Sequence, residues 1–395
     1  MTETNYVKLG SICRVVSGST PKKSNTEYWG GNIPWITPAE IDNDVHYVWD
    51  TERHITELGV KKATLNELPV GTVLLSSRAP IGKVAITKTP MFCNQGFKNL
   101  ICSDQVLNEY LYRYLRANTA RLQNCGRGAT FKELSKKDVE NIILPLPSVS
   151  CQRNIVSKFE SIDNVILYLN KLLELLDELV KSRFMEMFGD PVEGCDWNRM
   201  RLDDLCSKLG SGATPRGGKS AYKNEGVPLI RSMNVYNGYF SWKELAYIDD
   251  NQAKKLNGVT LRKGDVLLNI TGASVARSCV LPSELAGGRV NQHVAIIRAD
   301  QEKILPVFLN AIFVSESYQH FLLNGSKMAG ATREAITKQD LKEMTVPIPP
   351  LELQKKFAAF SRQVDKLKFE TQQSIEKLQM LYDSLAQDYF APEGD

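Results

Sequence analysis

The strongest constraint in this sequence is that it is written twice. Gly18-Ser19-Thr20-Pro21 returns as Gly212-Ala213-Thr214-Pro215, and Tyr28 with Ile33-Pro34-Trp35-Ile36 returns as Tyr222 with Val227-Pro228-Leu229-Ile230, both displaced by 194 residues. Further on, Gly71-Thr72-Val73-Leu74-Leu75 matches Gly264-Asp265-Val266-Leu267-Leu268, and Asn94-Gln95 matches Asn291-Gln292. The copies close alike. Gly128-Ala129-Thr130 recurs as Gly330-Ala331-Thr332, Pro145-Leu146-Pro147 as Pro347-Ile348-Pro349, Gln152 as Gln354 and Phe188 as Phe390, now displaced by 202. A unit of about 190 to 200 residues is duplicated, and such repetition decides architecture before any local reading.

Each copy has two parts. The first is rich in Gly, Pro, Asn, Ser and Thr, with short apolar runs such as Thr72-Val73-Leu74-Leu75 and Val266-Leu267-Leu268 that read as buried strands. Stretches such as Glu109-Tyr110-Leu111-Tyr112-Arg113-Tyr114-Leu115 read as helix, so each block is expected to be α+β. Pro-x-Pro ends the block, because proline disfavours helix in the residue before it. The second part is a long helix. In the first copy Ile155, Phe159, Ile162, Ile166, Leu169, Leu173, Leu176 and Val180 follow at alternating steps of four and three, the seam of a coiled coil. The pattern spans about Gln152 to Phe188, roughly 55 Å at 1.5 Å per residue, and Gly189-Asp190-Pro191 stops it. In the second copy Phe360, Val364, Leu367, Leu378, Leu381 and Leu385 keep the rhythm, with Thr371 and Ser374 interrupting it and Lys368 standing where the first helix has Ile166. Two such helices are expected to pack on each other, antiparallel.

Charge follows the same division. Residues 1–150 hold 18 Lys+Arg against 14 Asp+Glu and residues 200–350 hold 19 against 14, whereas residues 151–199 count 6 against 9 and residues 351–395 count 6 against 8. Positive charge gathers in the two globular blocks, where a phosphate backbone can release its counterions. No run approaches the roughly 18 apolar residues of a membrane span, and Met1-Thr2-Glu3-Thr4-Asn5 lacks the order of a signal peptide, so a cytoplasmic protein without membrane contact is expected.

The chemistry of an enzyme is not visible. The eight cysteines, Cys13, Cys93, Cys102, Cys125, Cys151, Cys195, Cys206 and Cys279, form no C-x-x-C pair, and the four histidines form no ligand spacing, so no metal site is expected. Ala213-Thr214-Pro215-Arg216-Gly217-Gly218-Lys219-Ser220 fits a loose phosphate-loop pattern. A phosphate loop opens a helix, but Gly226 and Pro228 follow too closely for one, and the first copy has no Gly-Lys at all. Pro349-Pro350-Leu351 supplies neither the Asn nor the aromatic of a base-methylating motif, and no carboxylate cluster suits a nuclease metal.

In sequence and in duplicate, these motifs resemble the specificity subunits of type I restriction-modification systems over nearly the whole chain. The residues that carry the resemblance are Ser17-Gly18-Ser19-Thr20-Pro21 with Tyr28-Trp29-Gly30-Gly31-Asn32-Ile33-Pro34-Trp35-Ile36, then Gly71-Thr72-Val73-Leu74-Leu75, Asn94-Gln95-Gly96-Phe97, and Pro349-Pro350-Leu351-Glu352-Leu353-Gln354. Two departures stand out. Pro147-Ser148-Val149-Ser150-Cys151-Gln152 lacks the second proline of the usual Pro-Pro-Leu-x-x-Gln form, and Thr271-Gly272-Ala273-Ser274-Val275 lacks the Ile81-Gly82 of the first copy. The resemblance implies an α+β fold with an internal pseudo-twofold: two repeated target-recognition domains separated by two long antiparallel coiled-coil helices. The expected boundaries are 1–149 and 191–350 for the domains and 150–190 and 351–395 for the spacer helices. It further implies a non-catalytic chain that reads a bipartite, asymmetric site in double-stranded DNA, with half-sites about one helical turn apart. Two modification (methyltransferase) subunits are expected to dock on the helices and restriction/translocase subunits to join them. No cofactor is expected in this chain, S-adenosylmethionine and ATP belonging to the partner subunits. Alternatives are a related phage-defence or methylation-only system and a scaffold that binds proteins alone.

Polar residues on Gly-rich loops are the candidates for DNA contact, since they approach phosphates and base edges without a bulky neighbour. In the first copy these are Thr20, Lys22, Lys23, Arg78, Asn94, Gln95, Arg127, Thr130 and Lys132, and in the second Thr214, Arg216, Arg231, Asn234, Thr271, Arg277, Asn291, Gln292, Lys327 and Arg333. Arg suits guanine, and Asn or Gln suit adenine, through paired hydrogen bonds in the major groove. Because Asn94-Gln95 and Asn291-Gln292 recur, two readings stand for them: capping turns of a shared fold, or reading bases. Residues that differ between copies, Arg78 and Arg231 among them, are better placed for base choice.

Overall fold

The computed structural model describes residues 5–42, 45–78, 80–126, 132–215, 217–324 and 335–391. It divides into two compact units: residues 1–170 with 372–395, and residues 171–371. Each unit therefore holds one α+β head and one half of each long helix, a partition that cuts across the chain-order boundaries expected from the sequence.

The first head is built on a five-stranded sheet in the order Cys13–Ser17, Lys98–Cys102, Val73–Leu75, Val84–Thr87, Tyr47–Val48, antiparallel except for the last pair. Its central strand is buried on both faces, which is why it reads as an unbroken apolar run. Val73 and Leu75 pack toward the helix Asn108–Ala117, in one core with Tyr110, Leu111 and Leu115, while Leu74 faces Val16, Ile36 and Phe97. A three-stranded sheet, His54–Ile55, Trp29–Ile36, Phe92–Cys93, lies beside it.

The second head repeats the plan with a four-stranded sheet, Cys206–Ser211, Val294–Ala299, Val266–Asn269, Ser278–Val280, and a three-stranded one, Ala246–Ile248, Val227–Ile230, Arg289–Val290. Val266 and Leu268 again pack toward a helix, Pro306–Val314, and Leu267 faces Ile230 and Val290. In each head a short antiparallel pair, Asn5–Lys8 with Ile143–Leu146 and Arg199–Arg201 with Thr345–Pro347, brings the ends of the block together where its long helix begins.

The long helices run Val149–Phe188 and Leu351–Phe390. Gly189 closes the first in the left-handed region (φ 75°), with its N–H on the carbonyl of Met185 at 2.9 Å. In the first unit Phe159 stacks on Phe390 at 5.6 Å and meets Tyr382 edge-on at 4.7 Å, so the start of one helix lies against the end of the other. The second unit reverses the roles. Phe184 and Phe188 lie 5.6 and 5.8 Å from Phe357, and Lys368 pairs with Asp177. Both units thus show antiparallel pairing.

In the first helix Ile155, Phe159, Ile162 and Leu176 are buried and Ile166, Leu169, Leu173 and Val180 partly so. In the second helix the row is displaced. Phe357, Ser361, Val364 and Thr371 are buried, and Ile375, Leu378, Tyr382 and Leu385 are half-buried. Leu367 and Leu381, expected on the seam, are 50% and 48% exposed, and Phe360 is half-buried beneath the Arg183 guanidinium. Lys368, the neighbour of Leu367, is half-buried and pairs with the Asp177 carboxylate of the opposing helix.

Candidate nucleic-acid interface

In both heads the same backbone bonds tie the loops together. The N–H of Ser19 bonds the Cys93 carbonyl at 3.0 Å, and Ala213 does the same with Val290 at 3.0 Å. Asn94 N–H reaches the carbonyl of Ile36 at 3.1 Å, as Asn291 reaches that of Ile230 at 3.0 Å. Ser77 N–H meets the Gly96 carbonyl at 2.7 Å and accepts Leu134 N–H on its own carbonyl at 3.0 Å; Ile270 does so with His293 at 3.0 Å and Ile336 at 2.8 Å. These bonds explain the repeated glycine. A Cβ on Gly18 would collide with the carbonyls of Asn94 and Cys93, and one on Gly212 with those of Val290 and Asn291.

Asn94 and Asn291 serve this frame. The Asn94 Oδ1 accepts Gly96 N–H at 2.8 Å, the Asn291 Oδ1 accepts His293 N–H at 3.1 Å, and Asn291 is buried. Of the two readings open for them, the turn accounts for their recurrence. Asn234 is also committed: it has no exposed surface, its amide donates to the carbonyls of Ser241 and Lys243 at 3.0 and 3.1 Å, and its oxygen accepts Arg231 N–H at 3.1 Å. The expectation of a DNA contact there meets a buried side chain with both amide donors and its oxygen engaged inside the head. Glu40 fills the same position in the first head, accepting Thr37 N–H at 2.8 Å.

The exposed candidates surround the frame. In the first head Gln95 is exposed and takes up the Thr20 hydroxyl. Arg78 stands at the rim, 38% exposed, with the Glu133 carboxylate 3.5 Å away and Lys98 on the other oxygen of Glu133 at 3.4 Å. Lys22, Lys23 and Lys132 are exposed and have no ion-pair partner among the described residues. In the second head Gln292 is exposed, Thr214 and Thr271 are half-exposed, and Thr271 bonds the His293 ring at 2.6 Å. Arg277 lies over the Tyr236 ring at 4.7 Å. Arg231 donates to the Glu244 carbonyl and lies over Tyr222 at 5.4 Å, so its guanidinium is partly engaged within the head. Arg127, Thr130, Arg216, Lys327 and Arg333 lie outside the described residues.

The second head adds residues that the sequence reading passed over. Tyr236 and Tyr239 stack at 5.0 Å across a tight turn, and Tyr239 and Trp242 are more than half exposed. Their signal was an aromatic-rich stretch, Tyr236 to Trp242, and the aligned segment of the first copy carries Tyr47 and Trp49, the latter 64% exposed. His293 was passed over too, although it differs from Gly96 at an aligned position.

Other chemistry finds no frame. A single 3-10 turn, Gly218–Ala221, stands at the end of the loose phosphate-loop pattern, where a phosphate loop needs an α-helix. Among the described residues no cluster of three or more His, Cys, Asp or Glu is placed to hold a metal, and no helix is long and apolar enough to cross a membrane.

Comparison with known proteins agrees with the geometry. The family described as type I restriction modification DNA specificity domain matches twice, at residues 1–178 and 195–380. The MjaIX specificity subunit of a type I restriction enzyme from Methanocaldococcus jannaschii is 29% identical over 96% of this chain and 90% of its own. The EcoR124I/EcoR124II specificity subunit of Escherichia coli is 28% identical over 42% of this chain and 43% of its own. Among solved structures, a chain described under complex assembly and conformational transition of the type I R-M system superposes with a TM-score of 0.64 at 20% identity, over 99% of this chain and 98% of that one. The S subunit of a type I restriction-modification system from M. genitalium gives 0.52 at 13% identity, over 99% and 98%. The chain belongs to the type I restriction-modification DNA specificity family.

Proposed function

We propose that this family member reads a split sequence in double-stranded DNA, one half with each head, and that its long helices carry the docking surface for two modification subunits. The observation that carries the reading is an identical backbone frame presenting unlike side chains. Arg78 stands where the second head has Thr271, Gly96 where it has His293, and Thr37 where it has Arg231. A shared frame fixes how each head sits on a duplex, and unlike side chains on it select unlike bases. The half-sites therefore differ.

Docking rests on apolar side chains that neither helix uses internally. In the second unit's share of the first helix, Leu172, Leu175 and Leu179 are 41%, 55% and 47% exposed at helical spacing. In the first unit's share, Val165, Leu167 and Tyr168 are 44%, 64% and 72% exposed. Rows of this kind mark protein contacts. Methyl transfer and any cleavage belong to the partner subunits, which bring S-adenosylmethionine and ATP; restriction/translocase subunits join through them.

The test is to express the chain with its methyltransferase partner and map methylated bases. The expected motif is split and asymmetric, with a constant gap. Filter binding of the complex at two salt concentrations separates this from a protein-only scaffold, which would show no salt-dependent duplex binding.

A further inference from the structure

We infer that His293 reads a base in the half-site of the second head, with Thr271 as its positioning residue. This rests on the proposal that the heads read DNA, and it assigns a contact to a residue outside the candidates drawn from sequence. Positions 271 and 293 are joined in the frame, Ile270 N–H bonding the His293 carbonyl at 3.0 Å, as Ser77 bonds Gly96 at 2.7 Å in the first head. The side chains at these paired positions are exchanged in kind. The first head has Arg78 beside a bare Gly96, and the second has Thr271 beside His293.

The imidazole is oriented. Its Nδ1 lies 2.6 Å from the Thr271 hydroxyl, and its Nε2 makes a long contact, 3.5 Å, with the amide nitrogen of the exposed Gln292. A ring fixed at one nitrogen presents a single hydrogen-bonding atom at the other, beside an amide that carries both donor and acceptor. That pair matches the mixed edge of a base pair, whereas the five-donor guanidinium of Arg78 calls for acceptors such as those of guanine. Base-reading is thus moved from one member of the joined pair of positions to the other.

The test uses the full chain in complex with its methyltransferase partner, with binding selection on duplexes randomised separately in each half. His293→Ala is expected to relax the preference at one position of one half-site, leave the other half unchanged, and weaken binding to the original site about tenfold to a hundredfold. His293→Gln, which keeps a polar side chain, is expected to change the preferred base at that same position, and it decides the matter if the alanine variant does not fold. Thr271→Val should blur the same position, and Thr271→Ser, which keeps the hydroxyl, should restore it. Unchanged preferences in both His293 variants overturn the inference. So does an equal loss on all sequences, the mark of a structural role. A wild-type complex without preference in either half would instead sink the DNA reading itself.

Discussion

Gln152 reaches across to Leu107 with its side-chain oxygen, accepting the Leu107 amide N–H at 2.9 Å while its own amide donates to the carbonyls of Gln105 and Pro147, both at 2.9 Å. In the other copy Gln354 accepts Leu305 N–H at 2.9 Å and donates to Lys303 and Pro349 at 3.3 and 2.9 Å. Each glutamine has no exposed surface, and each joins the first turn of a long helix to the start of a helix in its head. Alanine at either position removes three hydrogen bonds to backbone groups, which range from buried to exposed. Each orphaned group costs about 1–3 kcal/mol, and partial hydration offsets some of that. Gln152→Ala and Gln354→Ala are each expected to lower stability by about 2–4 kcal/mol, read by chemical denaturation. A change within error would remove the glutamines from the joint.

The displaced row in the second helix gives a second expectation. Phe357 is fully buried against Phe184 and Phe188, whereas Leu367, in the same helix, is 50% exposed. Phe357→Ala should cost about 3–5 kcal/mol, the range for a buried aromatic, and Leu367→Ala under about 1 kcal/mol. Equal costs would return Leu367 to the seam.

That contrast also shows where the sequence stopped being legible. Duplication, strands and both helices were readable, because Gly18 and Gly212 each stand where a Cβ would strike a carbonyl and because Val73 to Leu75 is buried on both faces. Counting apolar residues every three or four then selected Leu367 and Leu381, since such counting sees hydrophobicity alone and passes over polar residues that are buried. The buried row instead takes in Ser361, Thr371 and the half-buried Lys368, polar residues that such counting rejects. The candidate site was legible as a set of loops and not as roles. Asn234 has the right chemistry for adenine, but its bonds close a turn, and that depends on carbonyls seven and nine residues further along the chain.

Thiol chemistry should separate the cysteines by burial. Burial pushes the Cys93 thiol up to about 12, against the opposing pull of Asn99 and Lys98, and lifts Cys279 to about 12. Only the thiolate reacts, so at pH 8 both should resist alkylation in the folded chain. Cys125 and Cys151 are exposed and free. Mass spectrometry after brief iodoacetamide treatment is expected to show label on these two, and on Cys93 and Cys279 only after denaturation. Early labelling of Cys93 would contradict the packing of the first head.

Docking of the modification subunits can be tested without disturbing the fold. Leu175 is 55% exposed and lies off the inward row, so a charge there costs the folded chain little. Leu175→Glu is expected to keep the wild-type melting temperature and to lose co-purification with the methyltransferase subunit, because an unpaired carboxylate would be buried in the joint surface. Undiminished co-purification would place the partner elsewhere.

The first head offers the cleanest distinction between holding DNA and reading it. Arg78 is 38% exposed and loosely attended by Glu133 at 3.5 Å, so its fork of donors is free to turn toward a base, whereas Lys22 stands exposed with no ion-pair partner among the described residues. Arg231 is a poorer probe, since its contacts with Glu244 and Tyr222 also shape its own loop. Arg78→Ala is expected to weaken binding to the recognised site by about 1–3 kcal/mol and to relax one position of the first half-site. Lys22→Ala should weaken all sequences alike and reduce the slope of log affinity against log salt by about one. Titrating the partner-bound complex against matched and mismatched duplexes at several salt concentrations measures both quantities at once. Should Arg78→Ala lower the slope and leave the sequence preference intact, Arg78 is a phosphate contact, and the reading of the first half-site passes to Gln95 and Thr20.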